Sequence, residues 1–298
     1  MKTNYHTHSL YCDGKASVSD MAQAAVEHGF SVLGMSSHAP LPFPTTWTMR
    51  AEDIGSYFDE IEKAQEKIGA SLSLMAGLEI DYIEAVTGPA HVQYPELSYS
   101  IGSVHYINPG HTKAGDTLFT VDEGQEKFDR HVAEHCNGDY ERAVGLYYRT
   151  VCDMIKAGGF TILGHLDLIR KNNPDESRFS ERTSFYRDAV MEVVDTLRGS
   201  GIVAEINTGG IARGKTKAPY PSDWILRELY ARSIPICLNA DAHAPEHLYG
   251  YYDRGLQAAL DAGYRTQTVP VLGDFAREHG LAVSESASGS ALLTVISL

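Results

Sequence analysis

The feature that most constrains this chain is a recurrence. Short apolar runs of strand length alternate with amphipathic stretches of helical length. The pattern predicts strands at Lys2–Tyr5, Ser31–Met35, Ser71–Gly77, Tyr99–Ser103, Phe160–Leu163, Ile202–Ile206 and Ile236–Leu238, with a weaker eighth at Thr266–Val271. Between them it predicts helices at Val18–His28, Ala51–Ile68, Tyr140–Ala157, Ser184–Arg198, Ser222–Ala231 and Asp253–Ala262. Ser17 with Asp20 reads as a capping box opening the first helix. Strands separated by helices pair in parallel, because a crossover of that length returns the chain to the same edge. So many β/α units in 298 residues point to one α/β barrel. Pro40–Met49, Thr87–Glu96 and Lys171–Glu181 read as loops, and Ser284–Ser290, rich in Ser, Ala and Gly, as a poorly ordered tail.

Composition narrows the partners. Hydrophobic residues are 43% of the chain, enough for a sizeable core, and the net charge is −14. An acidic surface repels polyanions, so no nucleic-acid partner is expected, although bound cations can invert the field locally for a small phosphorylated ligand. Cys12, Cys136, Cys152 and Cys237 form no CxxC pair and suggest a reducing compartment. The opening residues are too polar for a signal peptide, and no apolar run is long enough to span a bilayer. A cytoplasmic protein without a membrane partner is the expectation; the sequence does not give its oligomeric state.

The chemistry lies in where ligand-type residues fall. His6 and His8 follow the first predicted strand, His38 the second, Glu79 the third, His105 the fourth, His165 the fifth, and Asp241 and His243 the seventh. In a parallel barrel the C-terminal strand ends share one rim, so residues scattered in sequence gather at one mouth. Imidazole and carboxylate are the usual ligands of zinc, manganese and ferrous iron. In an extended segment His6-x-His8 presents both rings to one face, as does Asp241-x-His243, and a carboxylate such as Glu79 can bridge two ions. Singly, each residue reads as well as a core or surface residue; together they read as a metal site. Asp13, in the turn Cys12-Asp13-Gly14, lies close enough to fold back as a further ligand. His28 and His279 precede glycines at expected helix ends, and His91, His111, His131, His135 and His247 read as solvated, with substrate contact open to His111 or His247.

The set His6-Thr-His8, Ser37-His38, Gly77-Leu-Glu79, Gly102-Ser-Val-His105, Gly164-His165-Leu-Asp167 and Asp241-Ala-His243 resembles the PHP (polymerase and histidinol phosphatase) family. The stretches IGSVHY, GHLDLI and EINTGG resemble its histidinol-phosphatase branch. The resemblance runs from about Thr3 to about Gly250. It implies a distorted seven-stranded, TIM-barrel-like (β/α) barrel holding three divalent ions, zinc, manganese or iron. Carried over by residue, His6, His8, Glu79 and Asp241 would hold the first ion, and Asp13, His38 and His243 the second. Glu79, His105 and His165 would hold the third. Asp13 stands where many members have histidine. The segment after Tyr264 departs from the branch's ending, so residues 265–298 are an unassigned tail of a single 1–298 domain.

The implied reaction is hydrolysis of a phosphate monoester, L-histidinol phosphate in histidine biosynthesis, by direct transfer to water. The alternative is a PHP-type phosphoesterase acting on nucleotides or other small esters. Arg213 is the first candidate for a bidentate phosphate clamp, Arg170 the second and Lys215 the third. Asp241 or a bound water would protonate the leaving group. Asp167 or Asp81 would attract the substrate's cationic groups, or Asp167 would orient a ligand histidine. A proofreading exonuclease conflicts with the charge. An amidohydrolase would want a mid-barrel lysine, and none falls at the ends of the third to fifth strands.

Overall fold

The structure, a computed structural model, describes residues 1–110, 118–289 and 291–298. Seven parallel strands form one sheet in sequence order: β1 (Lys2–Asn4), β2 (Phe30–Met35), β3 (Ser73–Asp81), β4 (Tyr99–Ser103), β5 (Ile162–Leu163), β6 (Val203–Asn207) and β7 (Ile236–Asn239). Helices α1 (Val18–Glu27), α2 (Ile54–Ile68), α3 (Gln125–Cys136), α4 (Tyr140–Ala157), α5 (Ser184–Leu197), α6 (Asp223–Ala231) and α7 (Tyr252–Ala262) surround it. The Ser17 hydroxyl accepts from the Asp20 N–H as the capping box requires, and Asp139 and Thr183 cap α4 and α5 in the same way. Helix α3 was not apparent in the sequence. No α-helix separates β3 from β4, which makes the ring irregular.

The sheet closes between β1 and β7, and not by a regular ladder. A bridge joins Thr7 to Ala242, and Asn side chains supply the rest: Asn239 Oδ1 accepts from Tyr5 N–H at 2.8 Å and Asn4 Oδ1 from Ala240 N–H at 2.6 Å. Two buried amides thus replace missing ladder bonds.

The period of two along each strand sorts the side chains. On β3, Leu74, Leu78 and Ile80 pack outward beneath α1 and α2, while Met75 faces the barrel interior. The same inward row continues through Gly77 to Glu79 and Asp81. Strand β3 therefore runs four residues beyond the expected end at Gly77, and Glu79 lies within it. The interior is filled by Tyr5, Val32, Met75, Tyr99, Ile101, Ile162, Val203 and Cys237. The Tyr99 hydroxyl crosses the barrel to donate to the Tyr5 carbonyl at 2.6 Å, and Gly77 leaves it room, since a Cβ there would lie 2.3 Å from the Tyr99 ring.

The eighth predicted strand exists as β8 (Thr266–Val271), but it is not a barrel strand. With β9 (Ser284–Glu285) and β10 (Leu292–Ser297) it forms a separate antiparallel sheet, in the order β8, β10, β9. Val269, Val271, Leu293 and Ile296 close the barrel floor against Tyr5 and its neighbours, and the Tyr5 hydroxyl donates to the Pro270 carbonyl at 2.7 Å. The segment after Tyr264 is therefore a plug rather than a loose tail. Ser284 and Glu285 pair with Leu293 and Leu292 instead of lying disordered.

Candidate metal centre

The nine residues expected as ligands converge at the C-terminal mouth of the barrel. Glu79 is their hub. It is 1% exposed, and five imidazoles surround it. His6 Nε2, His8 Nε2 and His38 Nδ1 lie 3.1, 3.6 and 2.9 Å from its Oε2, and His165 Nε2 and His105 Nε2 lie 3.0 and 3.6 Å from its Oε1. On the far side His8 Nε2 is 3.2 Å from Asp241 Oδ1, and His243 Nε2 is 3.3 Å from Asp13 Oδ2.

Whether these residues suit cations can be tested on the protein alone. His6 Nε2, His8 Nε2, His38 Nδ1 and Glu79 Oε2 are buried without a hydrogen-bond partner among the described residues although they face one another. Orphaned buried polar atoms are costly, and a cluster of them aimed at one point fits a metal. Four groups at the mouth have ligand atoms within 4.8 Å of one another. His6, His8 and Glu79 form one, and His8, Asp13, His38 and His243 a second. His38, Glu79 and His105 form a third, and His6, His165 and Asp241 a fourth. The groupings overlap the implied sets but differ in three places: His8 also faces the Asp13 set, His38 also falls with Glu79 and His105, and His165 falls with His6 and Asp241.

Electrostatics follow from the geometry. Burial pushes the Glu79 carboxyl up, but His6, His38 and His105 outweigh it and hold it well below the usual range. Burial opposes a charge on His105, yet Asp81 and Glu79 raise it to about 10. His6 is likewise raised well above its ordinary value, against its burial, by Glu205, Glu79 and Asp241. His8 is lowered by burial and by His243 and His38. The site attracts positive charge, which protons supply when no metal does.

Supporting residues set the ring orientations. Glu205 Oε1 lies 2.7 Å from His6 Nδ1, and its Oε2 accepts from the His165 N–H at 2.8 Å. Asn207 and Asn239 each donate to Glu205 at 2.9 Å. Asp81 Oδ1 lies 2.9 Å from His105 Nδ1, so Asp81 orients the His105 ring rather than standing free for substrate. His243 Nδ1 has two neighbours, the Asp241 carbonyl at 3.1 Å and Arg213 Nη1 at 2.8 Å. They select opposite tautomers. Only the carbonyl, accepting from Nδ1–H, leaves Nε2 free for a cation.

The cationic candidates divide. Arg213 lines the cavity, but its guanidinium already donates to Asp241 Oδ1 and Oδ2 at 3.0 and 2.7 Å, so it is an orienting group as well as a prospective clamp. Burial favours protonating Asp241, but Arg213 and His6 hold its carboxyl well below the usual carboxylate range. Arg170 does not line the cavity; Asp167 Oδ2 and Glu181 Oε1 hold it at 2.8 and 2.9 Å. Asp167 also accepts from the Ser222 N–H at 2.9 Å, so it orients no ligand histidine. Lys215 does line the cavity, together with Tyr220 and with Lys171 and Asp122, which the sequence did not single out. Lys171 pairs with Asp122. The missing side chains of Gly209 and of cavity-lining Gly210 make room for Asp241 and for Thr216 with Tyr220. His111 lies outside the described residues.

The sequence pattern of the PHP domain matches residues 4–209. A protein of Deinococcus radiodurans named probable histidinol-phosphatase is 28% identical over 275 residues, covering 88% of this chain and 94% of that protein. The histidinol-phosphatase of Bacillus subtilis is 26% identical over 260 residues, covering 81% and 93%. Among solved structures, the histidinol phosphate phosphatase of Lactococcus lactis superposes with a TM-score of 0.66 at 19% identity, over 90% of this chain and 96% of that one. That protein was solved with zinc, L-histidinol and phosphate. The seven-stranded barrel, the histidine-rich mouth and the match over residues 4–209 agree: this chain belongs to the PHP domain family.

Proposed function

We propose that this protein is a metal-dependent histidinol-phosphatase, cleaving L-histidinol phosphate to L-histidinol and phosphate. The observation that carries the reading is the buried Glu79 encircled by His6, His8, His38, His105 and His165, with unpartnered atoms aimed inward. The names of the Deinococcus and Bacillus relatives, aligned over most of both chains, support the substrate. In this reading His6, His8, Asp13, His38, Glu79, His105, His165, Asp241 and His243 hold three divalent ions, with zinc favoured over manganese and iron. Bound ions supply charge neutralisation at the phosphoryl oxygens and activate water at neutral pH.

The chain's own residues do the rest. Glu205 and Asp81 fix the His6 and His105 rings. Arg213 holds Asp241 ionised and, with Lys215, adds positive charge where phosphate oxygens would sit. Among the described carboxylates lining the cavity, Asp122 alone lies outside the ligand set, so it, shared with Lys171, rather than Asp167 or Asp81 complements the substrate's amine. The whole chain acts as one unit, because the C-terminal sheet seals the barrel whose mouth carries the site. Four free cysteines suit the cytoplasm.

The test is phosphate release from L-histidinol phosphate by zinc- or manganese-loaded protein, against nucleotides and sugar phosphates, with metal-stripped protein as control. Strong preference for histidinol phosphate, lost on stripping, is expected. Even activity across the panel, or activity on nucleotides alone, overturns the substrate.

A further inference from the structure

A second cluster of ligand-type side chains lies outside the barrel mouth. Helix α3 carries His131, Glu134 and His135, spaced i, i+3 and i+4, so they share one face of the helix. One nitrogen or carboxylate oxygen from each lies within 4.8 Å of the others. By sequence alone both histidines are expected to be solvated. Instead, their rings lie nearly parallel, 20° apart with centroids at 5.8 Å, and the buried Phe119 ring stands edge-on to both, at 5.5 and 6.4 Å. This packing restrains the imidazoles and reduces the entropy lost on binding. His131 Nδ1 is buried and has no hydrogen-bond partner among the described residues.

We propose that His131, Glu134 and His135 form an accessory site for a borderline divalent cation of the zinc type. Two imidazoles one turn apart on a helix, with a carboxylate, make a three-ligand set that leaves a coordination position for water. Imidazole selects zinc over magnesium or calcium, which want all-oxygen shells. Burial and the neighbouring His135 hold the His131 pKa below its ordinary value, so this ring is a neutral ligand at pH 7. The site also has a structural link to the mouth. Phe119 pairs with Ile107, and two residues on, the Val121 N–H donates to the His105 carbonyl at 2.9 Å, just before cavity-lining Asp122.

The experiment uses protein already loaded with zinc and desalted, so that the mouth is filled, and titrates it calorimetrically with zinc chloride. The wild type should take up a further equivalent that magnesium chloride does not mimic. His131→Gln/His135→Gln should lose this equivalent while retaining its resident metal by elemental analysis, its helicity and its basal phosphatase rate. Glu134→Gln alone should weaken it. Cobalt titration gives a second readout, with visible absorption bands appearing in the wild type and absent in the double variant. The inference is overturned if the wild type binds no further zinc, or if the double variant binds it with unchanged affinity.

Discussion

Substituting Glu205→Gln tests whether the support behind the ligands controls the site. The Glu205 side chain has no exposed surface and meets four donors: His6 Nδ1, the His165 N–H, Asn207 Nδ2 and Asn239 Nδ2, all between 2.7 and 2.9 Å. Glutamine keeps the volume but exchanges one acceptor for an NH2 donor. Facing His6 and Asn239, or facing the His165 N–H and Asn207, that NH2 opposes two donors. Losing one charge-assisted bond costs about 1.5–3 kcal/mol. At about 1.4 kcal/mol per tenfold, that is roughly 10–100-fold, the range expected when a partner that orients a metal ligand is removed. The expected outcome is a fall in zinc affinity of that order, read by competition with a chromogenic chelator, and a matching fall in phosphate release at limiting zinc. Excess zinc should restore much of the rate, which separates weakened binding from misfolding. Unchanged affinity and rate in a folded variant would refute the assignment of Glu205 as the residue that sets His6.

Other perturbations follow from the same geometry. In Gly209→Ala the new Cβ would lie 2.7 Å from Asp241 Cβ and 2.8 Å from its Oδ2, so Asp241 must shift. A displacement near 1 Å costs about 10²-fold in turnover, measurable as kcat with the circular dichroism spectrum unchanged. Asp122→Asn should raise KM for histidinol phosphate several-fold while leaving an amine-free monoester such as p-nitrophenyl phosphate unaffected; equal effects on both would show that Asp122 does not read the amine. Loading metal-free protein with zinc at pH 7 should release protons, because the His105 pKa is raised to about 10 and its proton must leave. Calorimetry in buffers of different ionisation enthalpy reads the number, which should decline as the pH approaches about 10. In the metal-free protein the same raised pKa stabilises the fold fully below about 6.5, and that contribution is lost as pH rises through about 10, so its thermal midpoint should fall over that interval.

Much of the site was legible in the sequence because its signals are local. His6-x-His8, Asp241-x-His243 and a ligand-type residue beyond each of the second to fifth predicted strands need only strand periodicity and the parallel barrel rule to be placed at one mouth. Residues whose role depends on distant partners were not legible. Glu205 reads as one polar residue in an apolar strand; only its approach to His6, 199 positions away, gives it work. Arg170 and Lys171 are adjacent, but they lie in a 3-10 turn. There successive residues point about 120° apart, so Lys171 reaches the cavity while Arg170 turns to Asp167 and Glu181. Asp122 follows a short strand that pairs with Tyr106 and Ile107, a pairing no local pattern announces.

The fold divides along the same line. Alternation of strand and helix determined a parallel barrel, since each amphipathic element buries its apolar face in only one way against its sequence neighbours. Local pattern was silent on how the ring closes and what seals its floor. A strand such as Thr266–Val271 has the same composition whether it joins the ring or crosses beneath it. The choice rests on long-range terms: the Asn4 and Asn239 amides that join β1 to β7 without a further strand, and the exposed floor around Tyr5 and Val203 that β8 and β10 cover. Tertiary structure decided these points because they depend on which surfaces remain unburied after the local elements have formed.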